Sequence, residues 1–344
     1  MGTFDARVLA QRLVGGMGVA AFDDEIRERR AMRFEAALDV EQRAELFDLE
    51  RLEALFDSEA MPLANVDVYE DGHLKRLADL QKKREKTGLQ VIVELFQQGA
   101  TIRLREVDAC DRPLSQFVAE VRRQFAAQSQ INVYLTPPRK SGFPPHFDIT
   151  DVFIVQCLGA KQWRLFDDYT SRIDLPVMAT TWEPDRFQPI GTATAVTLSA
   201  GDVLYLPRGV MHQTFCTDRA SMHLTISITP MTYADLITKE VQRISANHLE
   251  LRKRVPWSAD EGNSERNAMI ADAARACLQA VATRLDVATV IADERDSVLE
   301  GARRVHPRVD VAGTLGRLFE GVESSPTTLL QAAFRDGEPR CRQA

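Results

Sequence analysis

Apolar residues follow two rhythms along this chain. From Val40 to Phe56, Leu46, Leu49, Leu52, Leu55 and Phe56 fall three and four apart, the period of a buried helix stripe, and residues 1–60 read as helical. A polar stretch follows, with a turn signal at Asp71-Gly72 and a solvated basic cluster from Gln81 to Lys86. Leu89 to Phe96 and Thr101 to Leu104 predict strands on either side of a turn at Gly99. Pro113 to Gln128 predicts a helix with Leu114, Phe117, Val118, Val121 and Phe125 on its apolar face and Pro113 in its first turn.

From Ile131 to Pro230 the pattern shortens to β-rich runs separated by Gly, Pro and Asp: INVYLTPP, HFDIT, VFIVQCLG, KQWRLF, AVTLSAGDVLYLP and MHLTISITP. Several short strands punctuated this way predict a barrel or sandwich. Beyond Pro230 the helical period returns over 232–254 and 264–304, interrupted at Pro256-Trp257. One stripe there is Leu236, Ile237, Val241, Ile244 and Leu251; a second is Met269, Ile270, Ala273, Ala274, Cys277, Leu278 and Val281. The expected fold is therefore α+β. Residues 1–88 form a helical N-terminal flank, 89–230 a β-barrel and 231–344 a C-terminal helical module.

Composition narrows the setting. The 344 residues are 44% hydrophobic and 27% charged, an ordinary globular balance, and no apolar run approaches membrane-spanning length. Phe4, Asp5 and Arg7 interrupt any signal-peptide core, which argues for the cytoplasm. The five cysteines, Cys110, Cys157, Cys216, Cys277 and Cys341, are widely spaced and form no CxxC pair, so they read as reduced thiols. A net charge of −7 disfavours nucleic acid as the main partner but suits a basic protein or peptide.

The chemistry concentrates at His146-Phe147-Asp148. On a strand, residues i and i+2 share a face, so the imidazole and the carboxylate converge while Phe147 points away. A lone HxD more often marks a loop or surface. Here a third ligand is at hand: a Gly201-Asp202 turn launches an apolar strand, and a Pro207-x-Gly209 turn then delivers His212. Two histidines and a carboxylate on one face of a six-coordinate metal leave three positions open, the arrangement of non-haem Fe(II) oxygenases. Two of these positions take a bidentate oxoacid and the third takes O2. Lys161, opening the KQWRLF run after Leu158-Gly159-Ala160, could reach the barrel mouth and meet a second carboxylate. Taken alone, a lysine there more often guards a strand edge. His223 reads as structural, and His73, His248 and His306 have no metal-like spacing.

These segments have a familiar order. Asn132 to Pro138 (NVYLTPP), Gly142-Phe143, His146-Phe147-Asp148, Val152 to Gln156, Gly159-x-Lys161-x-Trp163-Arg164, Gly201 to Gln213 and His223 to Ser227 together resemble the JmjC ribosomal oxygenases, which hydroxylate a histidine or arginine in ribosomal proteins. The resemblance spans roughly residues 40–300 and is densest over 131–230. It implies a JmjC/cupin double-stranded β-helix barrel with Fe(II) on His146, Asp148 and His212, and 2-oxoglutarate and O2 as co-substrates. It places the far carboxylate of 2-oxoglutarate on Lys161, puts Asn132 and Ser227 in the same pocket, and sets Tyr134 on the substrate side. Lysine at position 161 follows the eukaryotic-type histidine hydroxylases, whereas the bacterial arginine hydroxylase carries arginine there. The resemblance also implies a protein or peptide substrate and a homodimer formed through the C-terminal helices. Only about forty residues follow Arg304, fewer than the family's winged-helix domain needs. The alternatives are a peptide natural-product hydroxylase, a JmjC demethylase, and a metal-binding cupin module without turnover.

Overall fold

The computed structural model describes residues 4–70, 72–81, 88–257 and 264–304. Asp71, most of the basic cluster (82–86), Cys341 and the stretch after residue 304 lie outside them. The elements run α1 Ala6–Arg12, α2 Val19–Glu25, β1 Met32–Phe34, α3 Val40–Leu46, α4 Leu49–Asp57, β2 Val66–Glu70, β3 His73–Arg76, α5 Leu77–Gln81, α6 Gly88–Gln97, β4 Thr101–Leu104 and α7 Arg112–Phe125. Then come β5 Gln128–Thr136, β6 Asp151–Tyr169, β7 Pro189–Ser199, β8 Val203–Leu206, β9 His212–Phe215, β10 Ser221–Thr229, α8 Tyr233–Ser245, α9 Leu249–Arg252, α10 Ser264–Ala282 and α11 Val287–Arg304.

The strands are antiparallel in the order β1-β8-β6-β10-β5-β4-β2-β3, with β7 and β9 also paired to β6. This is the α+β double-stranded β-helix barrel. Its hinge is β6. The first half of this strand pairs with β8 and β10 in one sheet, and its second half, from Ala160, pairs with β7 and β9 in the other. The sequence reads Leu158-Gly159-Ala160 as a turn between two strands; instead one strand continues through it and bends. In the β10 pairing, Met222 faces Leu158 while His223 faces Gln156, so Cys157 is bulged out of register. A bulge of one residue exchanges the two faces. Val152 and Ile154 line the barrel cavity before it, and Lys161 and Trp163 after it.

Strand alternation sorts the remaining side chains. Ile131, Val133 and Leu135 of β5 and Met222, Leu224, Ile226 and Ile228 of β10 enter the main core with Leu114, Phe117, Val118, Val121 and Phe125 of α7. The opposite faces, carrying Asn132, Tyr134 and Thr136 and His223, Thr225 and Ser227, are left for the barrel interior. Helix α7 starts where Asp111 caps the Leu114 amide at 2.8 Å, and it ends at Ala126, which takes a left-handed φ of 48°. Phe22 of α2, Phe125, Phe153 and Tyr205 pack their rings together and fix the N-terminal helices to the sheet.

Several expectations are corrected. Leu89 to Phe96 is helix α6, not a strand: Val91, Ile92 and Leu95 fall on one helical face and are buried against α4 and α5, while Val93 stays 47% exposed. The Val40–Phe56 stripe is two helices, because Asp48 stops the first and caps the Arg51 amide of the second, leaving Leu49 exposed. The N-terminal flank is not wholly helical, since β1 extends the sheet beside β8 and β2 and β3 form a hairpin. HFDIT is no regular strand; it makes one bridge, His146 to His212. The 264–304 region is two helices, and α11 packs back on α7 with Val290 and Val298 buried.

Gly159 bears the bend of β6 at φ +68°, and a Cβ there would lie 1.8 Å from the Ala220 carbonyl oxygen. Gly159→Ala is therefore expected to destabilise the chain by about 2–4 kcal/mol through backbone strain and overpacking. Urea denaturation measures this, and an unchanged midpoint would show that the bend tolerates a side chain.

Candidate metal and co-substrate site

The two predicted histidine ligands are joined through their backbones. The His146 amide donates to the His212 carbonyl at 3.0 Å, and the His212 amide donates to the His146 carbonyl at 2.7 Å. The Gly209 amide donates to the Asp148 carbonyl at 2.9 Å, tying the HFD segment to the turn that delivers His212. Arg208 fixes that turn from below, its backbone amide and guanidinium both reaching Asp151 Oδ1. Phe147 points away, as predicted, into a cluster with Tyr169, Phe187, Trp182 and Met211. The segment is thus held on both sides without belonging to a long strand.

One ligand atom from each of His146, Asp148 and His212 lies within 4.8 Å of the others. His146 Nδ1 is 2.9 Å from the Pro144 carbonyl, and His212 Nδ1 is 3.0 Å from the Val210 carbonyl. A carbonyl only accepts, so each Nδ1 carries the proton and each Nε2 presents a lone pair. Burial, reinforced by His146, pushes His212 down to about 4, so it is neutral at physiological pH. Imidazoles with oriented Nε2 atoms beside a carboxylate suit a divalent metal.

Lys161 lies in the same cavity and is only 1% exposed. Its ammonium donates to Thr136 Oγ1 at 2.9 Å, and among the described residues no carboxylate pairs with it. Burial lowers its pKa to about 8. Tyr134 completes the wall, held protonated by burial that lifts its pKa to about 12, with its ring stacked on His223 at 4.9 Å.

The structure does not bring Asn132 and Ser227 into this cavity. They line a neighbouring one of ≈ 590 Å³ that shares Tyr134, Asp148, Val152 and Thr225 with the triad's cavity. Asn132 Oδ1 accepts from the Glu106 amide at 3.0 Å, and the Ser227 hydroxyl donates to the Gln130 carbonyl. Trp163, His223, Thr214 and Thr225 line the triad's cavity without having been singled out as site residues. Alternation along β10 places His223, Thr225 and Ser227 on one face, but sequence alone leaves open which face is inward. His73 and His248 lie away from this cavity, and His306 falls outside the described residues.

Comparison with known proteins places these features. Residues 111–236 match the JmjC domain family. Human ribosomal oxygenase 1 is 36% identical over 170 residues, which cover 47% of this chain and 26% of that protein. The bifunctional lysine-specific demethylase and histidyl-hydroxylase NO66 of Dictyostelium discoideum is 36% identical over 168 residues, covering 47% of this chain and 32% of that protein. The chain thus spans about a quarter to a third of the length of these relatives. Among solved structures, the Escherichia coli ribosomal oxygenase YcfD in complex with cobalt and succinic acid aligns with a TM-score of 0.48 and 17% identity, over 78% of this chain and 67% of that one. The matched stretch, which contains His146, Asp148, Lys161 and His212, is a JmjC domain similar to that of the ribosomal oxygenases.

Proposed function

We propose that the chain is an Fe(II)- and 2-oxoglutarate-dependent oxygenase that hydroxylates a side chain of a protein or peptide. The observation that carries this reading is Lys161. A buried ammonium whose one partner among the described residues is a hydroxyl is costly, and an anionic ligand removes most of that cost. The cation shares a cavity with three metal-type ligands, so the anion it calls for also reaches the metal. A 2-oxo dicarboxylate has the matching ends: an oxoacid to chelate and a remote carboxylate to pair. The same observation disfavours a cupin module that only holds a metal.

In this reading His146, Asp148 and His212 hold the iron, which when bound couples O2 and 2-oxoglutarate to substrate hydroxylation with release of succinate and CO2. The protein's own part is orientation and exclusion. Backbone carbonyls hold both imidazoles in the Nε2-coordinating tautomer, and Lys161 sets the direction of the co-substrate. Val152, Ile154, Phe143 and Trp163 keep water from the cavity walls. The adjoining cavity, with Asn132, Ser227 and Met178 on its walls, leads to Asp148 and serves as the approach for the substrate side chain. A histidine or arginine of a ribosomal protein is the target the resemblance implies, and the names of the relatives, ribosomal oxygenase and histidyl-hydroxylase, support the histidine. The four described cysteines are unpaired, which supports a reducing compartment such as the cytoplasm. None of the described helices is long and apolar enough to cross a membrane.

A homodimer through the C-terminal helices is part of the same proposal. Helices α8 to α10 leave an apolar hollow of ≈ 680 Å³ lined by Val241, Leu251, Ile270, Ala273, Cys277 and Leu278. Ile237, Met269 and Leu278 are 49%, 65% and 62% exposed. Exposed apolar surface of this kind marks an interaction site.

Three measurements test this. His212→Ala should abolish iron-dependent 2-oxoglutarate decarboxylation while the chain stays folded; retained turnover removes His212 from the metal site. Lys161→Ala should raise the 2-oxoglutarate requirement about ten- to a hundredfold, the loss of one charge-assisted contact worth about 1.5–3 kcal/mol, with metal affinity little changed. For the dimer, Leu278→Asp is more informative than a change at Ile244, which is buried within its own chain. Light scattering should show a dimer in the wild type and a monomer in Leu278→Asp, and a wild-type monomer at micromolar concentration would exclude the dimer.

A further inference from the structure

Two polar atoms on the wall of the triad's cavity have no hydrogen-bond partner among the described residues: Trp163 Nε1 and His223 Nδ1. Both side chains are almost wholly buried, at 4% and 2% exposure. Polar groups so enclosed are nearly always paired, so each orphan calls for an explanation. These two lie on the walls that also carry Lys161, and the coincidence of all three narrows the explanation to a ligand.

The geometry selects its charge. Lys161 and Trp163 are two residues apart on one face of β6, and His223 faces them from β10. The His223 ring lies flat on Tyr134, with an interplanar angle of 1°, and edge-on to Trp163 at 5.7 Å. These contacts hold the plane of the ring in place against Tyr134 and Trp163. Burial and the neighbouring ammonium keep His223 neutral. A neutral imidazole donates from one nitrogen only, and an acceptor at Nδ1 selects the tautomer that carries the proton there. An indole N–H is a donor under all conditions. A site offering an ammonium, an indole N–H and an imidazole N–H fits a carboxylate, which accepts at both oxygens.

We propose that Trp163 Nε1 and His223 Nδ1 donate hydrogen bonds to the remote carboxylate of the 2-oxo dicarboxylate that Lys161 neutralises. The two side chains then belong to the co-substrate's binding residues and not to the packing of the barrel. This inference rests on the oxygenase reading given above and adds the residues that recognise the far end of the co-substrate. Because the three donors gather at that end, they distinguish 2-oxoglutarate from pyruvate, which carries the same chelating oxoacid and no second carboxylate.

The test uses the Mn(II)-loaded full chain, titrated calorimetrically with 2-oxoglutarate and, separately, with pyruvate. Trp163→Phe and His223→Phe keep an aromatic ring in place and remove the donor, and thermal melting confirms that each variant is folded. Each should bind 2-oxoglutarate about tenfold more weakly than wild type, as expected for a lost hydrogen bond to a charged group, with pyruvate affinity unchanged. In a second readout, the indole N–H resonance that disappears in Trp163→Phe should shift in the wild type on adding 2-oxoglutarate and stay in place on adding pyruvate. Wild-type affinity for 2-oxoglutarate in both variants overturns the inference and leaves the oxygenase reading standing. Equal weakening toward both ligands assigns the two residues to packing and also overturns it. A wild-type protein that binds no 2-oxoglutarate overturns the oxygenase reading itself, and this inference with it.

Discussion

Strand β6 belongs to both sheets, and the site depends on how it passes from one to the other. Its first half presents Val152 and Ile154 to the cavity; after the bulge at Cys157 and the left-handed turn of Gly159, its second half presents Lys161 and Trp163. Without the extra residue the alternation would carry on unbroken and send Lys161 to the opposite face. The same strand pairs with β9, whose first residue is His212, and so sets the distance between the buried cation and the metal ligands. One irregularity thus aligns the two ends of the site. That is why the cost of a methyl group at Gly159 is expected to be felt beyond the turn itself.

Charge gives the site its second constraint. The Asp148 carboxylate and the Lys161 ammonium carry single opposite charges that cancel. A divalent metal adds two positive charges and a 2-oxo dicarboxylate adds two negative ones, so the filled site is neutral again. Each partial filling is worse. The dianion alone would face Asp148 with only Lys161 in support, and the metal alone would leave Lys161 buried and unpaired. Buried charges tolerate imbalance poorly, so metal and co-substrate are expected to favour each other's binding. The locked tautomers matter here as well, because a protonated His212 would add charge and remove a ligand in the same step.

Legibility in the sequence followed the range of the forces at work. His146, Asp148 and His212 could be read because the features that position them are local: an i, i+2 pair and a Pro-x-Gly turn. The helix face of α7 and the alternation in β5 and β10 were readable for the same reason. Leu89 to Phe96 misled because a short apolar run fits either period, and the choice was made by α4 and α5, which cover one helical face. The strand β1 is only three residues long, and its pairing with β8 is a tertiary event with no local signal. Trp163 and His223 were out of reach for another reason. The face of Trp163 depends on a one-residue bulge, which shifts every later side chain on β6 yet leaves no mark in composition, and alternation along β10 does not say which of its faces, that of His223 or that of Met222, turns inward.

The molecule separates a rigid site from a more adaptable approach to it. Lys161 is set by the pairing of β6, and the triad by backbone hydrogen bonds between the HFD segment and the turn that delivers His212. The adjoining cavity is walled by polar side chains such as Asn132, Ser227 and Glu106 and by the loop bearing the 63%-exposed Met178. Asn132 and Ser227 sit in the β5–β10 ladder through their backbones, while their side chains bond to the Glu106 amide and the Gln130 carbonyl and not to the triad. The C-terminal helices extend the same division: α11 is committed to α7 within the chain, whereas α10 keeps its apolar face outward, available to a partner without disturbing the barrel.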